Sequence, residues 1–402
     1  MAFQRQDSEW VVKQGEGSQS LRQIFEQCRR PMYFYDLNEA LKRAQWLSAS
    51  SAKVHFAMKS NADARLLRSL AALGLGADVV SLGEIQRAMR HGFPADRIIF
   101  SGVAKGREEI EFALRHRLFQ INVESFEELQ VIDQVARESG LVADLALRMN
   151  IHVQAPTHKN IQTATERSKF GLDIRKLPDV LAWMKNRSHL RLRGLATHVG
   201  SQILDVQMFG LVARRMGEVW REVKNQHVTL DRLDLGGGLG IDYREEGAQD
   251  ESLAKSYLKE LTANHGTGAQ VLIEPGRFLV ARMGVLLGQI RHVKQGLDRK
   301  FIILDVGMNA LMRPALYEAY HRMEILTPAK GDTRATEVFD VVGPICESTD
   351  VLAEDRSFPT PKAGEVLAIF DVGAYGAVMA NDYNELPRPM IVTCLDGRIE
   401  TA

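Results

Sequence analysis

A lysine follows a short apolar run and could act as a nucleophile. Lys59 comes directly after residues 54–58, which have the pattern of a buried strand. Burial disfavours the ammonium form, and the neutral amine is the nucleophile that Schiff-base formation requires. Taken alone, a lysine at a strand end more often extends its charge into solvent. Its chemistry therefore depends on what other strand ends bring to the same place.

Two further motifs end later apolar runs. Residues 236–240 read Gly-Gly-Gly-Leu-Gly, and their backbone N–H groups could surround a phosphate, although a plain tight turn is the alternative. The spacing differs from the Gly-x-Gly-x-x-Gly of dinucleotide-binding folds. Glu274 and Arg277 follow the next run and could form only a weak ion pair at the surface. Alternatively, Glu274 could keep a pyridine nitrogen protonated while Arg277 receives a substrate carboxylate.

Histidines and cysteines give weaker signals. His198 and Ser201 end another strand-like run; the imidazole could stack on a ring and the hydroxyl could donate to a phosphate, whereas a lone histidine is more often a packing residue. His152 and His158 show no metal-ligand spacing, and we expect no metal. The three cysteines, Cys28, Cys346 and Cys394, are far apart, so a reducing cytoplasm is the expected compartment.

The elements that must position these residues alternate between strands and helices. Strands separated by amphipathic helices pair in parallel, and eight such units over roughly 230 residues match a (β/α)8 barrel. A doubly wound open sheet is the competing architecture, but a barrel gathers all the polar strand ends at one mouth, so we favour it. The candidate strands are residues 54–58, 77–81, 98–102, 120–124, 145–150, 195–199, 233–236 and 271–274.

The pattern changes after about residue 285. Glycine and proline loops there separate strand-like runs with few helical patterns, which predicts an all-β second domain. We therefore expect a barrel domain at 30–285 and a β domain at 286–402, to which residues 1–29 contribute. The runs are residues 285–290, 301–306, 338–342, 366–370 and 390–394.

Composition limits the partners. The 402 residues are 45% hydrophobic and 25% charged, which is typical of a soluble globular protein. Lysine plus arginine equals aspartate plus glutamate at 51 each, which argues against a nucleic-acid or anionic-membrane partner. We expect no signal peptide and no membrane-spanning helix, because no apolar run is long enough.

Taken together and in order, the motifs resemble the fold-type III pyridoxal-phosphate decarboxylases, and within that group the diaminopimelate decarboxylases. The resemblance extends from about residue 30 to 393. Besides the motifs above, it includes Ser-Lys-Phe-Gly at 168–171, Arg-Pro-Ala-Leu-Tyr at 313–317, Gly-Pro-Ile-Cys-Glu-Ser at 343–348, Gly-Ala-Tyr-Gly at 373–376 and Tyr-Asn at 383–384.

The resemblance implies an alanine racemase-like fold, a barrel with a β domain, and a homodimer whose active sites are shared across the interface. Lys59 would bind pyridoxal 5'-phosphate covalently, His198 would stack on its ring and Glu274 would bind the pyridine nitrogen, and Asp78 would complete this group. The phosphate would lie among Ser201, Gly237, Gly238, Gly276 and Tyr375, and the substrate would contact Arg277, Arg313, Tyr317, Glu347 and Tyr375. Cys346 and Glu347 would come from the partner subunit, the cysteine as proton donor.

The family implies the decarboxylation of meso-2,6-diaminopimelate to L-lysine and carbon dioxide, the last step of lysine biosynthesis. An acid at position 274 favours decarboxylation, because a protonated ring accepts the electrons left by carbon dioxide; alanine racemases have arginine there. Arg313 and Tyr317 lie one helical turn apart and, with Arg277, suit a second substrate carboxylate. Ornithine-type enzymes carry Cys-Asp where this chain has Cys346 and Glu347.

Alternatives remain open. The chain departs from the family pattern at 150–153 and at 157–164, in a loop over the site, which affects the expected substrate range more than the cofactor chemistry. The alternatives are a related decarboxylase of carboxynorspermidine or ornithine type, and a non-catalytic pyridoxal-phosphate-binding protein. Such single-barrel carriers lack a β domain, so the region after residue 285 argues against the second.

Overall fold

The computed structural model describes residues 2–6, 9–14, 17–152, 169–225, 229–326 and 334–401. The chain folds into two compact units. One contains Arg43–Ile241 and Gln249–Phe278. The other contains Met1–Lys42, Asp242–Ala248 and Leu279–Ala402. We call them the barrel unit and the β unit.

Short strands and a capped helix open the chain. Ser20 begins the first helix: its Oγ accepts from the Gln23 N–H at 3.2 Å, while the Gln23 side chain accepts from the Ser20 N–H at 3.3 Å. This reciprocal capping satisfies donors that a helix start leaves unpaired. The elements are β1 (Gln4–Gln6), β2 (Glu9–Gln14), β3 (Gly17–Ser20), α1 (Leu21–Cys28), β4 (Met32–Asp36) and α2 (Leu37–Ser48).

The barrel unit is built on a closed parallel sheet. Its strands are β5 (Lys53–Ala57), β6 (Gly76–Val79), β7 (Ile98–Phe100), β8 (Gln120–Val123), β9 (Ala143–Asn150), β10 (Leu172–Asp173), β11 (Leu190–Ala196), β12 (Arg232–Asp234) and β13 (Gln270–Ile273). The order β5-β6-β7-β8-β9-β11-β12-β13 returns to β5, and β10 pairs with β9 outside this ring. Each of the eight candidate strands overlaps one ring strand, so the predicted barrel is confirmed and the open sheet is wrong.

Helices follow the barrel strands and begin at capping side chains. Asp63, Ser81, Ser125 and Asp205 each accept a backbone N–H of the first turn. Because these caps lie a few residues past the strands, they hold the connecting loops at the carboxyl end of the barrel. The helices are α3 (Ala64–Ala72), α4 (Leu82–Arg90), α5 (Arg107–Arg115), α6 (Phe126–Ser139), α7 (Leu177–Met184), α8 (Val206–Lys224), α9 (Asp250–Asn264) and α10 (Arg277–Val280).

The β unit is mainly antiparallel sheet. After α10 come β14 (Gly284–Gln295), β15 (Lys300–Leu304), α11 (Arg313–Tyr317), β16 (Met323–Leu326), β17 (Thr336–Val342), β18 (Val351–Pro359), β19 (Val366–Phe370), β20 (Met390–Leu395) and β21 (Arg398–Thr401). The sheet runs β18-β17-β15-β14-β4-β20-β21, and β19 joins β14 to β16. All five predicted strands are present, and the β-rich character is confirmed.

The amino-terminal residues pack into the core of the β unit. Phe3 contacts Phe34 and Phe370 at ring-centroid distances of 6.2 and 6.1 Å, and Trp10 lies 4.9 Å from Phe370. Phe25 of α1 belongs to the same buried cluster. In the described part of the chain, no helix combines the length and apolar character needed to cross a bilayer.

Candidate active site

Lys59 lies at the carboxyl end of the barrel, next to a buried carboxylate. Strand β5 ends at Ala57, and Met58–Ser60 forms a single 3-10 turn that the Ser60 hydroxyl braces by donating to the Ala57 carbonyl at 2.7 Å. The Lys59 Nζ lies 3.3 Å from Asp78 Oδ2, and the lysine side chain is 38% exposed. Asp78 lies on the neighbouring strand β6. The amine is thus oriented at the barrel mouth and remains accessible to a ligand.

His198 is held as a neutral imidazole. The Gly237 N–H donates to its Nδ1 at 3.0 Å, so the ring hydrogen belongs on Nε2. Burial, followed by the charges of Lys59 and Arg148, lowers the pKa of His198 well below its ordinary value. A neutral, flat ring next to the glycine loop is suited to stacking on an aromatic ligand.

The glycine loop follows β12 and lies close to neighbouring backbone. A Cβ at Gly237 would lie 2.1 Å from the Glu274 carbonyl oxygen. Gly238 has φ +113°, and a Cβ there would lie 2.6 Å from the Gly200 carbonyl. No other residue type fits either position. The loop therefore keeps its backbone open to a ligand beside the ends of β11 and β13.

Ser201 and Arg277 complete the rim next to this loop. Arg277 donates from Nε and Nη2 to Ser201 Oγ at 3.3 and 3.2 Å. Since the hydroxyl oxygen accepts both bonds, its hydrogen can be donated to an anion. Gly276 lies against Ser60, to whose side chain an added Cβ would come within 3.1 Å. A guanidinium and a hydroxyl are thus side by side, a pairing that binds phosphate or carboxylate oxygens well.

Acidic groups line the floor of the mouth. Glu274 is buried directly after β13, and Asp234 is buried at the end of the neighbouring strand β12. Burial, followed by the negative charges of Asp234 and Asp78, raises the pKa of Glu274 well above its ordinary value. Asn122 donates from Nδ2 to Asp234 Oδ2 and Glu274 Oε1, both at 3.4 Å. Glu274 is therefore poised to interact with a basic nitrogen.

Another ion pair supports the mouth from β8 and β9. Arg148 forms a buried ion pair with Glu124. Glu124 Oε2 also accepts from the Gly171 N–H at 2.9 Å, and the Arg148 guanidinium lies 4.9 Å from the Phe170 ring centroid. The pair thus holds Phe170 and Gly171 in place. The atypical loop at 157–164 lies outside the described residues.

Arg313 and Tyr317 belong to the β unit, on the short helix α11. The spacing prediction is correct in that both share one helical turn. Arg313 is buried, its Nη1 donates to His321 Nε2 at 2.8 Å, and its guanidinium lies 4.7 Å from the Tyr243 ring centroid. His321 in turn bonds the Phe370 carbonyl through Nδ1 at 2.8 Å. Arg313 is therefore strongly oriented within this unit, while Tyr317 is only half-buried.

Cys346 and Glu347 lie on an exposed loop of the β unit. The Cys346 N–H donates to Asn384 Oδ1 at 3.0 Å, and Glu347 Oε1 accepts from the Ser348 N–H at 3.0 Å. Asp350 accepts from the Ile345 and Met308 N–H groups at 2.7 and 2.6 Å and thereby fixes the base of the loop. Both side chains are exposed and can be presented to another molecule.

Tyr375 of the β unit has a left-handed backbone, with φ 56°. Such a conformation is uncommon for a non-glycine residue and is found mainly in tight turns and functional loops. Its side chain is half-buried. Each of the sequence-predicted site residues thus has a defined position within its own unit.

The structure brings together one set of the predicted residues. Those that converge at the barrel mouth are Lys59, Asp78, His198, Ser201, Gly237, Gly238, Glu274, Gly276 and Arg277. Arg313, Tyr317, Cys346, Glu347 and Tyr375 belong to the β unit. Among the described residues, no group of three or more His, Cys, Asp or Glu side chains could hold a metal ion.

The barrel-mouth residues fit a phosphorylated pyridine aldehyde. Lys59 supplies the amine, the neutral His198 a stacking surface, and Ser201 with Arg277 donors for an anion. Glu274 supplies an acid for a ring nitrogen, and Asp78 Oδ1 is buried without a hydrogen-bond partner among the described residues, so a polar group of a ligand can satisfy it. The aldehyde, the phosphate and the ring nitrogen of pyridoxal phosphate therefore each have a complementary residue.

Sequence reasoning missed Asp234 and His321. Asp234 lies inside a run that reads as a buried strand, and the signal available was a carboxylate two residues before three glycines. His321 lies only eight residues after Arg313, but nothing in that spacing indicates that the two side chains meet.

Comparison with known proteins agrees with this geometry. Residues 35–281 match the family model described as pyridoxal-dependent decarboxylase, pyridoxal binding domain. The diaminopimelate decarboxylase of Bacteroides thetaiotaomicron is 39% identical over 376 residues, covering 90% of this chain and 96% of its own length.

Solved structures give the same result. The crystal structure of diaminopimelate decarboxylase from Helicobacter pylori, complexed with L-lysine, has a TM-score of 0.87 at 33% identity, covering 94% of this chain and 95% of its own. The crystal structure of diaminopimelate decarboxylase from m. jannaschii, in co-complex with L-lysine, has a TM-score of 0.88 at 32% identity, covering 100% of this chain and 94% of its own. The chain belongs to the diaminopimelate decarboxylase family of pyridoxal-phosphate-dependent decarboxylases.

Proposed function

We propose that the protein decarboxylates meso-2,6-diaminopimelate to L-lysine and carbon dioxide, the last step of lysine biosynthesis. One observation carries the reaction type: a buried acid, Glu274, lies at the same barrel mouth as the oriented amine of Lys59. An acid at this place favours a protonated ring nitrogen, which decarboxylation needs. The relatives named diaminopimelate decarboxylase, over nearly the whole chain, support the substrate.

Each residue of the site has a role that follows from its chemistry. When bound, pyridoxal phosphate supplies a ring that accepts the electron pair left by the departing carboxylate. Lys59 would hold the cofactor covalently, and Asp78 would orient the Lys59 amine. His198 would stack on the ring, while Ser201, Gly237, Gly238, Gly276 and Tyr375 would bind the phosphate. Glu274 would hold the proton at the ring nitrogen.

We assign substrate selection to charged residues. Arg277, Arg313 and Tyr317 bind the carboxylates of the substrate, and the rigid support of Arg313 by His321 suits a fixed recognition point. The partner subunit's Glu347 faces the distal ammonium group, and the partner subunit's Cys346 returns a proton to the carbon that lost carbon dioxide. A site built around buried charges discriminates strongly against substrates that lack the matching group.

A substrate panel tests the function. Carbon dioxide release should give a kcat/KM for meso-diaminopimelate about 100-fold or more above that for lysine, ornithine or carboxynorspermidine. Lysine should appear in equal amount to the gas released, and Lys59→Ala protein serves as the blank. Equal turnover of ornithine or lysine would overturn the substrate assignment. Cofactor binding without turnover of any amino acid would instead indicate a carrier protein.

We further propose a cytoplasmic homodimer with shared active sites, in which the barrel unit binds the cofactor. The exposure of Cys346 and Glu347 on a loop fixed at its base by Asp350 supports the sharing. Such a loop can contact a neighbouring subunit while the subunit that carries it stays folded.

Mixed dimers test the shared site. Lys59→Ala subunits refolded or exchanged with Cys346→Ala subunits should recover about a quarter of the wild-type activity, since half the dimers are hybrids with one intact site of two. The matched control mixes Lys59→Ala with Glu274→Gln, because both changes lie on the barrel and no hybrid site is intact. Hybrids that form but regain no activity, or recovery in the control, would contradict the shared site.

A further inference from the structure

Two buried carboxyl groups accept from the same amide at the floor of the barrel mouth. Asp234 ends β12 and Glu274 follows β13, and these strands are neighbours in the parallel sheet. Both residues are buried, and the Asn122 Nδ2 lies 3.4 Å from both Asp234 Oδ2 and Glu274 Oε1. Two ionised carboxylates around one amide in a buried site repel each other, so the pair holds one proton.

Without the positive charge of a protonated cofactor ring, the surroundings stabilise one negative charge on the pair better than two. Asp234 Oδ1 accepts from the Gly236 N–H at 3.0 Å, and Asp234 Oδ2 accepts from Asn122 and Gln120 side-chain amides at 3.4 and 3.5 Å. These donors are neutral. The charged groups that act on the pair are Asp78, which opposes a second charge, and Lys59, which favours it. Tyr257 on α9 is also buried near the pair: burial, followed by the negative charges of Asp234 and Glu274, raises the pKa of its hydroxyl.

The direction of titration agrees with this picture. Burial raises the pKa of Asp234, and burial with the charge of Asp234 raises the pKa of Glu274 further above its ordinary value. The more strongly raised group keeps the proton. Glu274 is therefore the partner that keeps the proton.

We propose that Asp234 is a positioning residue for the reaction: it keeps a proton on Glu274 inside the barrel, and its own charge then holds that proton on the ring nitrogen of the cofactor. The O–H bond of Glu274 breaks as the N–H bond forms, so the pair gains one negative charge and the ring one positive charge. No external acid is required. The inference rests on the proposed role of Glu274 at that nitrogen.

The test measures protonation of the ring nitrogen without substrate. In holoenzyme carrying pyridoxal phosphate with an isotope-labelled ring nitrogen, the nitrogen NMR shift is followed against pH. In Asp234→Asn, which keeps the side-chain shape, the pKa of the ring nitrogen should fall by about 1–3 units relative to wild type, because one nearby negative charge is lost. An unchanged titration in folded, cofactor-loaded Asp234→Asn protein would overturn the proposal.

Two variants separate the possible failures. Asp231→Asn is the matched control. Asp231 lies just before the first residue of β12 and pairs with Arg193 at the surface, so its substitution should leave the pKa of the ring nitrogen unchanged. Glu274→Gln should shift the titration at least as far as Asp234→Asn. If Glu274→Gln has no effect, the proposed role of Glu274 is wrong. If Glu274→Gln shifts the nitrogen and Asp234→Asn does not, only the role of Asp234 is wrong.

Wild-type protein provides a second measurement if Asp234→Asn fails to fold. Infrared spectra of the cofactor-free protein at neutral pH should contain the C=O band of a buried protonated carboxyl group, and this band should disappear when the cofactor binds. A cofactor-free spectrum without the band, or a band that cofactor binding leaves intact, would contradict the proton transfer.

Discussion

Lys59→Ala protein should lose the visible absorbance of bound cofactor and about three orders of magnitude or more of its activity, while remaining folded. The amine at the barrel mouth is the attachment point, and alanine has no nucleophile. Lys59 is partly exposed but Asp78 is buried, so loss of the ion pair should lower the free energy of unfolding by about 1–3 kcal/mol. Absorbance spectra, carbon dioxide release and thermal unfolding check the three parts.

Lys59→Arg is the matched control for charge. It keeps a cation beside Asp78, but a guanidinium does not form the covalent link. Lys59→Arg should therefore be as inactive as Lys59→Ala while unfolding at the wild-type temperature. Lys169→Ala, which changes an exposed lysine elsewhere in the barrel unit, should retain the absorbance. Full absorbance in Lys59→Ala would remove Lys59 from its role.

Glu274→Gln should reduce kcat by about 100- to 1000-fold, the usual effect of losing one preorganised charge partner. The amide keeps the shape of the side chain but cannot hold a proton for the ring nitrogen. Substrate binding should change little, because Glu274 is not among the residues proposed to bind substrate. A kcat near that of wild type would contradict the role of Glu274.

The same variant should be more stable than wild type at alkaline pH when both lack cofactor. Because the pKa of Glu274 is raised in the folded protein, its contribution to stability is complete below the ordinary carboxyl pKa and is lost as pH rises towards the folded value. The loss is about 1.4 kcal/mol per pH unit while only the folded state holds the proton.

Glutamine avoids this loss, since its amide stays uncharged at any pH. Thermal unfolding of the cofactor-free proteins should therefore show a difference in favour of Glu274→Gln that grows from about pH 5 upward. A difference that is constant with pH would show that the raised pKa does not exist.

Much of the site could be predicted because barrel geometry converts chain order into proximity. Lys59, His198 and Glu274 each follow an apolar run, and parallel closure brings their strand ends to one mouth. The glycine loop could be recognised in the sequence as three consecutive glycines. The structure explains them, because only glycine fits beside the backbone of Gly200 and Glu274.

The parts that escaped prediction depend on contacts between distant segments. Asp234 looks like part of an apolar strand until Asn122, 112 residues earlier, is seen to donate to it. Strand β4 pairs with β14 and β20, far along the chain. Strand β18 contains charged residues and lacks the apolar pattern of a buried strand. It was missed because backbone pairing with β17, and not burial of an apolar face, holds it in place.

The position of the covalent link tests the central claim most directly. Borohydride reduction of the holoenzyme fixes the cofactor to its lysine, and peptide mass spectrometry then identifies the modified residue. We predict modification of Lys59 and of no other lysine. The alternative lysines are poorly suited; Lys105, for example, is buried and donates to the Gly102 and Asn122 carbonyls and to Glu128. Cofactor mapped to any lysine other than Lys59 would contradict the account.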